Sequence, residues 1–459
     1  MKKLTLLALV VLAVVAMACA PAPTPAPTAA PATAVPAPQG PAPTSAPVAT
    51  SAPVATSAPA ATAAPTTAPT TSAPLKVGLL TDDTGALAIY GPMLENGFAL
   101  GLEYATGGTN AIAGRQIQVI TKDTASKTDV GTQLARDLIE KDNVDVLVGV
   151  PSSGVALAVA DLAKQYKKIY IAQPAASPDL TGKSFNPYVF RTSRTSDQDA
   201  IASGAALNKM GKKFVQVAPD YAFGYGSAAG FYTVVKAGGG TFAVNDSADK
   251  AGAIYIPQDA KDFTPYLQKV LDTKADVLIV TWAGAGFVPL FTQMQQLGVF
   301  KAMQVYTGMG DNQTLKSGYS FATGSSGLIV YHYTLPKNPI NDWLVQHHKD
   351  KYKTAPDLFT EGGFTAAQML VAGLKATNGD AGADKLTKVY EGNFGFDGPK
   401  GHYTVRPSDH VLLQTMYVVK LTNVTDPDFK FFDLVSELTP DQAAPPCKLE
   451  GEFASRCPK

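Results

Sequence analysis

Short apolar runs alternate with longer segments of helical period from residue 75 to about residue 435. Short β-branched runs bounded by turn residues predict buried strands, and their alternation with helices is typical of βαβ units around parallel sheets. The predicted strands fall into two series that meet near Arg194: LKVGLL at 75, IQVITKD at 117, VDVLVGV at 144 and IYIA at 169, then FVQVA at 214, a weaker AIYI at 253, VLIVTW at 277 and MQVYTG at 303. Each series predicts its own doubly wound layer.

Helical periods lie between and after these strands. The segments with this pattern are YGPMLENGFALGLEYA, TQLARDLIEK, DFTPYLQKVLDT and FVPLFTQMQQLG, and then a third group from NDWLVQHHKDKY to DKLTKVYEG that follows the run GLIVYHY. The third group is expected to pack back on the first layer, so that both lobes are discontinuous. The predicted fold is α/β, with two doubly wound parallel-sheet lobes joined by three crossovers and a cleft between them. The predicted boundaries are 75–194 plus 333–402 for the first lobe, 195–332 plus 403–436 for the second, and 437–459 for a C-terminal tail.

Four loops rich in glycine, serine and aromatic residues follow predicted strands: PSSG, PDYAFG, TWAGAG and TGMGD. Ligands of open parallel sheets bind beyond the carboxyl ends of the strands, so these loops are expected to line the cleft. The first, the serine loop (residues 151–154), has two interpretations. Serine is a favoured helix N-cap residue, and hydroxyls at the positive end of a helix also suit a carboxylate. The equivalent positions of the four loops favour the ligand site.

The first nineteen residues, MKKLTLLALVVLAVVAMAC, predict an export signal. Two lysines precede an apolar run that is too short for a comfortable membrane span, and small residues precede Cys19. The junction VAMAC resembles the lipobox of bacterial lipoproteins, which implies signal cleavage after residue 18 and lipidation of Cys19. An ordinary signal peptide cut near Ala18 or Ala20 is the alternative. A lipidated chain would be exported and tethered to the outer face of the cytoplasmic membrane without spanning it.

Residues 20–74 consist almost entirely of Ala, Pro, Thr, Ser and Val and carry no charge. Such a segment cannot build a core, and frequent proline favours an extended chain. We expect a disordered stalk (19–74 with the anchor) that holds the domain away from the membrane.

Charge and cysteine content indicate which classes of partner are expected and in which state the cysteines occur. Lys+Arg and Asp+Glu both number 38, and no basic stretch is interleaved with aromatic residues, so nucleic acid is not an expected partner. Cys447 and Cys457, the two cysteines after Cys19, are ten positions apart in an exported tail, and a disulfide is their expected state. No cofactor or metal is expected.

The chain resembles the leucine/isoleucine/valine-type periplasmic binding proteins, which are the substrate-binding subunits of ABC importers with the type I periplasmic fold. The resemblance spans most of residues 75–434. The order and spacing of the matching segments are together specific. These segments are LKVGLLTDDTGALAIYGPMLENGFALGLEYA, the Asp123 strand end, GVPSSGVALAVADLAKQ, PAASPDLTGKSFNPYVFR, DYAFG and GPKGHYTVRPSDH. It implies a monomeric protein that captures a small molecule and passes it to an ABC permease.

The resemblance also implies site residues. The ligand α-carboxylate would be held by Ser152, Ser153, Ala175, Ala176 and Ser177, so that the serines act as helix cap and carboxylate ligand together. The aromatic wall would comprise Tyr90, Tyr221, Phe223 and Trp282. Tyr90 is alternatively a buried first-turn residue, and at Trp282 an offset of one residue is open.

Met309 departs from the family pattern, because it lies at or near the position where relatives carry an acidic partner for the ligand ammonium. Asp311 is two residues on. If Asp311 faces the cleft, the expected ligand is an amino acid of branched-chain or aromatic type, which is our preference. If Asp311 turns away and Arg194 faces the cleft, an amine-free organic or aromatic acid is expected instead. Arg194 is alternatively a hinge residue or part of a surface salt bridge.

Four polar residues are interpreted as structural. Arg191 is expected to anchor the crossover strand, and Arg406, Asp409 and His410 are expected to form a network at the return crossover.

Enzyme signatures are missing from the sequence, which contains no GxSxG, HExxH or P-loop, and GYGSAAG at 224 misses GxGxxG by one residue. A binding subunit is therefore preferred to an enzyme. A ligand-sensing receptor subunit remains the alternative, because both use the same closing cleft.

Overall fold

The computed structural model describes residues 73–458. The predicted signal peptide, Cys19 and nearly all of the predicted stalk lie outside the described residues. No helix within the described range is long and apolar enough to cross a membrane.

The first lobe is built on a six-stranded sheet in the order β2-β3-β1-β4-β5-β6, parallel except for the antiparallel pair β2–β3. Its elements are β1 (Leu75–Thr81), α1 (Gly91–Ala105), β2 (Ala111–Ile112), β3 (Arg115–Asp123), α2 (Thr128–Glu140), β4 (Val146–Gly149), α3 (Ser153–Tyr166), β5 (Ile169–Ala172) and β6 (Val189–Arg191). Strands β4, β5 and β6 are buried on both faces, which explains their continuous apolar sequences.

The second lobe is built on an all-parallel sheet in the order β11-β10-β7-β8, with β9 also paired to β7. Its elements are α4 (Ser196–Met210), β7 (Lys213–Pro219), α5 (Ala222–Ala237), β8 (Thr241–Phe242), β9 (Ala253–Ile256), α6 (Thr264–Asp272), β10 (Val277–Val280), α7 (Phe287–Gln296), α8 (Val299–Ala302), β11 (Gln304–Thr307), α9 (Asn312–Gly318) and β12 (Ser326–Ile329). The four predicted strands of this series all correspond to strands of the sheet.

The chain then returns to the first lobe and crosses back. The remaining elements are α10 (Pro339–Tyr352), α11 (Leu358–Ala376), α12 (Ala383–Tyr390), β13 (Gly395–Gly398), β14 (Gly401–Val405), β15 (Leu412–Leu413), β16 (Met416–Leu421) and β17 (Phe432–Leu438). Helix α11 packs closely against α1, where a Cβ added at Gly97 would lie 2.0 Å from the carbonyl oxygen of Thr360. Strands β12, β16 and β17 form an antiparallel sheet. The predicted two-lobed α/β fold is confirmed.

The return to the second lobe comes later than the predicted residue 403. Strand β14 forms a hairpin with β13, and Tyr403, Val405 and Leu412 pack in the same buried cluster as Val77, Phe190 and other first-lobe residues. The hairpin keeps this segment on the first lobe until β16 begins at Met416. The other predicted boundaries stay predictions.

The C-terminal tail is fastened to the body of the protein. Cys447 and Cys457 form a disulfide with their Cα atoms 5.5 Å apart. Lys448 Nζ lies 2.8 Å from both carboxylate oxygens of Asp197, and Arg456 Nη2 lies 2.6 Å from Glu391 Oε1. The tail therefore contacts the start of α4 and the end of α12.

Arg406, Asp409 and His410 form the predicted structural network. Arg406 makes two hydrogen bonds to Asp409, at 2.8 and 2.6 Å, and His410 stacks on Phe190 with ring centroids 3.9 Å apart. The network lies at the return crossover and lines neither of the chambers described below.

Candidate ligand-binding cleft

The carboxyl ends of the parallel strands of both lobes face a cleft that contains two adjoining chambers. The serine chamber is the smaller, with an empty volume of about 300 Å³, and Ser153 and Ala176 line it. The main chamber, of about 790 Å³ including space open to solvent, extends into the second lobe. Both are lined by Tyr90, Arg194, Phe223, Ala283 and Phe359.

The serine loop joins β4 to α3. Ser152 occupies the N-cap position, but its side chain makes no capping hydrogen bond, so the expectation that this serine caps the helix through its hydroxyl is wrong. Its backbone carbonyl accepts from Ala156 N–H instead. The N–H groups of Gly154 and Val155, in the first helical turn, have no acceptor within residues 73–458. Free N–H groups at the positive end of a helix are a suitable partner for a carboxylate.

Residues 175–177 form the second wall of the serine chamber and are held from behind. Ser153 Oγ accepts from the Ser177 N–H at 3.2 Å, which ties this wall to the serine loop. Arg191, fully buried, donates to the carbonyls of Ala175 at 2.7 Å and Ser177 at 2.9 Å. Burial, with the nearby charge of Arg194, lowers the pKa of Arg191 to about 9. Arg191 thus fixes the wall without reaching the cavity.

Arg194 faces both chambers but is already paired. Its guanidinium lies 3.3 and 3.2 Å from the two carboxylate oxygens of Asp199, and Nη1 donates to the Pro174 carbonyl at 3.4 Å. The guanidinium carbon lies 5.9 Å from the centroid of the Phe359 ring. Burial raises the pKa of the Asp199 carboxyl, although the charge of Arg194 opposes the shift. The pair adds no net charge to the cleft when both groups are ionised.

Aromatic side chains supply much of the apolar wall. Tyr90 and Phe359 pack edge to face with centroids 4.7 Å apart, and Tyr221 and Phe223 lie on the opposite lobe with centroids 6.1 Å apart. Trp282 lines the main chamber and packs edge-on against Phe263, which lies behind it. Such rings provide a large contact area at low conformational cost.

The two lobes are in direct contact at the mouth of the cleft. Tyr90 Oη accepts from the Gly284 N–H at 3.0 Å, and the Ala86 carbonyl accepts from the Ala285 N–H at 3.0 Å. Across the cleft, Asp357 at the start of α11 accepts from the Asn312 N–H of α9 at 2.9 Å. The conformation is therefore closed.

Asp311 lines the main chamber and caps α9, accepting from Thr314 N–H at 2.9 Å and Thr314 Oγ1 at 2.6 Å. Within residues 73–458 no cationic side chain lies within 4.0 Å of its carboxylate. Burial and the charge of Asp311 raise the pKa of Asp357 to about 7, which indicates that no cation compensates these two acids. Met309 lies beside Asp311 in the same wall.

Nine of the twelve ligand-site residues from the sequence line a chamber: Tyr90, Ser153, Ala176, Arg194, Tyr221, Phe223, Trp282, Met309 and Asp311. Ser152, Ala175 and Ser177 are buried and their side chains do not line a chamber, although the backbone of residues 175 and 177 holds Ala176 in the wall. Their roles in ligand binding stay predictions.

Sequence reasoning missed Phe359 and Asp199. For Phe359 the sequence offers only a helix-start signal, because Asp357 is a favoured N-cap residue, and this signal does not place the helix at the cleft. Asp199 follows Arg194 by five residues at the start of α4, and no local sequence pattern specifies the contact between the two side chains. Within the described residues, no group of three or more His, Cys, Asp or Glu side chains is arranged to hold a metal ion.

Comparison with known proteins gives a consistent picture. Residues 74–426 match the family model described as periplasmic binding protein. The chain is similar to the Leu/Ile/Val-binding protein BraC3 of Rhizobium johnstonii, with 26% identity over 312 residues that cover 67% of this chain and 81% of the relative.

Two solved structures extend the comparison. An ABC-type branched-chain amino acid transporter protein from Rhodopseudomonas palustris is 35% identical, with a TM-score of 0.68 over 82% of this chain and 100% of that one. A solute-binding protein from a second Rhodopseudomonas palustris strain, solved in complex with 3,4-dihydroxybenzoic acid, is 28% identical, with a TM-score of 0.69 over 80% and 97%.

Proposed function

Because the chain belongs to the periplasmic binding protein family, we propose that its cleft captures a small α-amino acid with an apolar or aromatic side chain. The protein is a solute-binding component of an ABC transporter and not an enzyme. Family membership also implies export to the periplasm. The assignment of an α-amino acid as the ligand is our proposal.

The observation that carries the proposal is the unmatched carboxylate of Asp311. Arg194, the one cationic side chain among the described residues that line the chambers, is already matched by Asp199. Asp311 therefore leaves the main chamber with a negative charge that no side chain compensates. A buried charge is costly unless it is paired, so a ligand ammonium beside Asp311 would lower the free energy of the closed form.

The other end of a zwitterionic ligand suits the serine chamber. That chamber contains no acidic side chain among the residues that line it, and Ser153, one of its lining residues, directly precedes the free N–H groups of Gly154 and Val155 in the first turn of α3. The α3 dipole and the Ser153 hydroxyl would favour a carboxylate there. The aromatic wall then surrounds an apolar side chain.

A second candidate is an amine-free aromatic acid. Arg194 lines the serine chamber, and a relative of similar fold was solved with 3,4-dihydroxybenzoic acid. Such a ligand would place its carboxylate near a guanidinium but would leave Asp311 without a partner. The charge of Asp311 favours the amino acid.

Matched pairs of ligands separate these candidates in a thermal-shift assay. Leucine and phenylalanine should stabilise the protein, whereas 4-methyl-2-oxopentanoate and phenylpyruvate should stabilise it much less. A ligand present at 100 times its dissociation constant adds about 2.7 kcal/mol to the stability of the folded state. The Asp311→Asn variant should lose most of the preference for the amino acids.

The opposite ranking would overturn the proposal. If the oxo acids stabilise the protein and the amino acids do not, the ligand is an amine-free acid. If Asp311→Asn keeps the full preference for amino acids, the ammonium is bound elsewhere. Thr307→Val is a matched control. Thr307 is a partly exposed residue that directly precedes the segment containing Met309 and Asp311, and it does not line the main chamber, so this substitution should leave the preference for amino acids unchanged.

We also propose that the protein is lipid-anchored through Cys19, which the VAMAC junction of the sequence supports. The native protein should fractionate with membranes, and mass spectrometry should identify an N-terminal Cys19 that carries acyl chains. The Cys19→Ser variant should be released from the membrane or retain its signal peptide. An unmodified N-terminus downstream of Cys19 in the native host would contradict the anchor.

A further inference from the structure

The main chamber does not end at the aromatic wall. It continues into the second lobe between helices α4 and α5 and the edge strand β11. This inner branch is lined by Asp199 and Ser203 of α4, Ser227 and Phe231 of α5, Tyr306 of β11 and Leu328 of β12. Most of these side chains carry polar groups, in contrast to the apolar wall of Phe223, Phe287 and Phe359 nearer the mouth.

The serine hydroxyls of the inner branch donate to protein acceptors. Ser203 Oγ donates to the Asp199 carbonyl at 2.6 Å, and Ser227 Oγ donates to Ser196 Oγ at 2.9 Å. Both oxygens keep lone pairs that can accept a further hydrogen bond.

Tyr306 is different. Its side chain is 1% exposed, and its hydroxyl makes no hydrogen bond of good geometry within residues 73–458, although the Ser203 hydroxyl and the Leu328 backbone lie close to it. Burial raises the pKa of Tyr306 to about 12, and the charge of Asp199 adds to the shift, whereas the Ser203 hydroxyl and the Leu328 backbone oppose it. Tyr306 and Asp199 both line the inner branch. The ring packs on Phe231, so the hydroxyl lies at the end of a fixed side chain. Trp282 lines the same chamber, and its indole N–H also has no partner among these residues.

An unpaired polar group in a protein interior destabilises the folded state, and nearly all such groups in folded proteins have a partner. An aliphatic ligand side chain would leave Tyr306 unpaired in the closed form. A ligand hydroxyl would instead be able to accept from Tyr306 Oη and donate to a carboxylate oxygen of Asp199. Each carboxylate oxygen of Asp199 is paired with the Arg194 guanidinium and keeps a lone pair for this contact.

We propose that the inner branch is a subsite for a neutral hydrogen-bonding group at the far end of the ligand. The inference rests on the proposed function and narrows it to amino acids with a hydroxylated aromatic side chain, such as tyrosine. Tyr306 is the residue that sets this specificity, and Asp199 is the second partner of the ligand hydroxyl.

Isothermal titration calorimetry with tyrosine and phenylalanine tests the subsite, because the two ligands differ by one hydroxyl. The wild-type protein should bind tyrosine at least about tenfold more tightly than phenylalanine, which corresponds to about 1.4 kcal/mol. In the Tyr306→Phe variant the ratio of the two affinities should fall to near one. Equal affinities for the two ligands in the wild type, or an unchanged ratio in the variant, would overturn the subsite.

Tyr170→Phe is the matched control. Tyr170 of β5 is fully buried and its hydroxyl also has no hydrogen-bond partner among the described residues, but it lines neither chamber. This variant removes the same atom from the same kind of environment and should keep the wild-type ratio of affinities.

Leucine and a pair of oxo acids distinguish failure of the subsite from failure of the proposed function. If leucine binds and tyrosine does not, the subsite is wrong and amino-acid capture stands. If 4-hydroxyphenylpyruvate binds more tightly than phenylpyruvate and neither amino acid binds, the subsite stands and the ammonium site is wrong. If none of these ligands binds, both proposals are wrong.

Discussion

The Gly284→Ala variant should bind its ligand at least about a hundredfold more weakly than the wild-type protein, a loss of about 2.7 kcal/mol. Gly284 donates its N–H to Tyr90 Oη at 3.0 Å in the contact between the two lobes. A Cβ at this position would lie 2.0 Å from the carbonyl oxygen of Ala86. The obstructing atom belongs to the backbone of the opposite lobe, so no side-chain rotation relieves the clash. The closed form should therefore be destabilised relative to an open one.

Titration calorimetry and small-angle scattering measure the two parts of this effect. The wild-type protein should keep a compact profile with saturating ligand. Gly284→Ala should be more expanded, because the lobes cannot approach each other. A variant that binds within threefold of the wild type and gives the same profile with ligand would show that this contact is not part of the bound conformation.

Gly298→Ala controls for the backbone cost of the substitution. Both glycines have a φ of +77°, a conformation that alanine adopts only with strain. A Cβ at Gly298 would have no heavy atom within 4 Å. This variant should lose a similar amount of stability to unfolding but keep its ligand affinity and its compaction.

The sequence predicted the sheets well because their strands are buried on both faces. Strands β4 and β10 consist of uninterrupted apolar residues. Short apolar runs between turn residues are typical of strands that are buried on both faces of a parallel sheet. The position of the loops beyond these strands then followed from the general geometry of parallel sheets. Tyr90 and Trp282 were implied by the resemblance to the periplasmic binding proteins, and both line a chamber, as Ser153 does.

The residues that the sequence missed depend on contacts between distant segments. Phe359 reaches the cleft only because α11 packs on α1, and the sequence does not fix how two helices some 260 positions apart align. Tyr306 lies on a short strand whose side chains alternate between faces, and only the packing of α4 and α5 determines which face lines a cavity. Local patterns therefore gave the scaffold and the rim of the cleft, whereas its inner end required the tertiary structure.

The same distinction applies to the serine loop. The residue type at position 152 predicted a side-chain cap, but the helix accepts Ser152 at its N-cap without that bond. The first-turn N–H groups are consequently left without a side-chain partner, which suits a ligand carboxylate better than a capped helix would.

Arg191→Met should reduce the free energy of unfolding by about 3–5 kcal/mol, because several buried carbonyls lose a charged donor and each unsatisfied buried group costs about 1–3 kcal/mol. The Arg191 guanidinium donates to the backbone carbonyls of residues 175, 177 and 194 at 2.7, 2.9 and 3.0 Å. Methionine fills a similar volume but donates nothing, so these buried carbonyls would lose a partner. Arg191→Lys should be intermediate, because one ammonium cannot reproduce the fixed fork of a guanidinium.

Denaturant unfolding with and without ligand measures this effect and identifies its origin. Arg136→Met is the control, because Arg136 forms a partly exposed ion pair with Glu140 at 3.8 Å and its loss should change stability by no more than about 0.5 kcal/mol. Since the carbonyls of residues 175 and 177 belong to the wall of the serine chamber, Arg191→Met should also weaken ligand binding, although Arg191 lines neither chamber. Wild-type stability in Arg191→Met would mean that the wall holds its shape without the guanidinium. A large loss of stability with unchanged affinity would instead show that Arg191 supports the crossover alone and not the binding site.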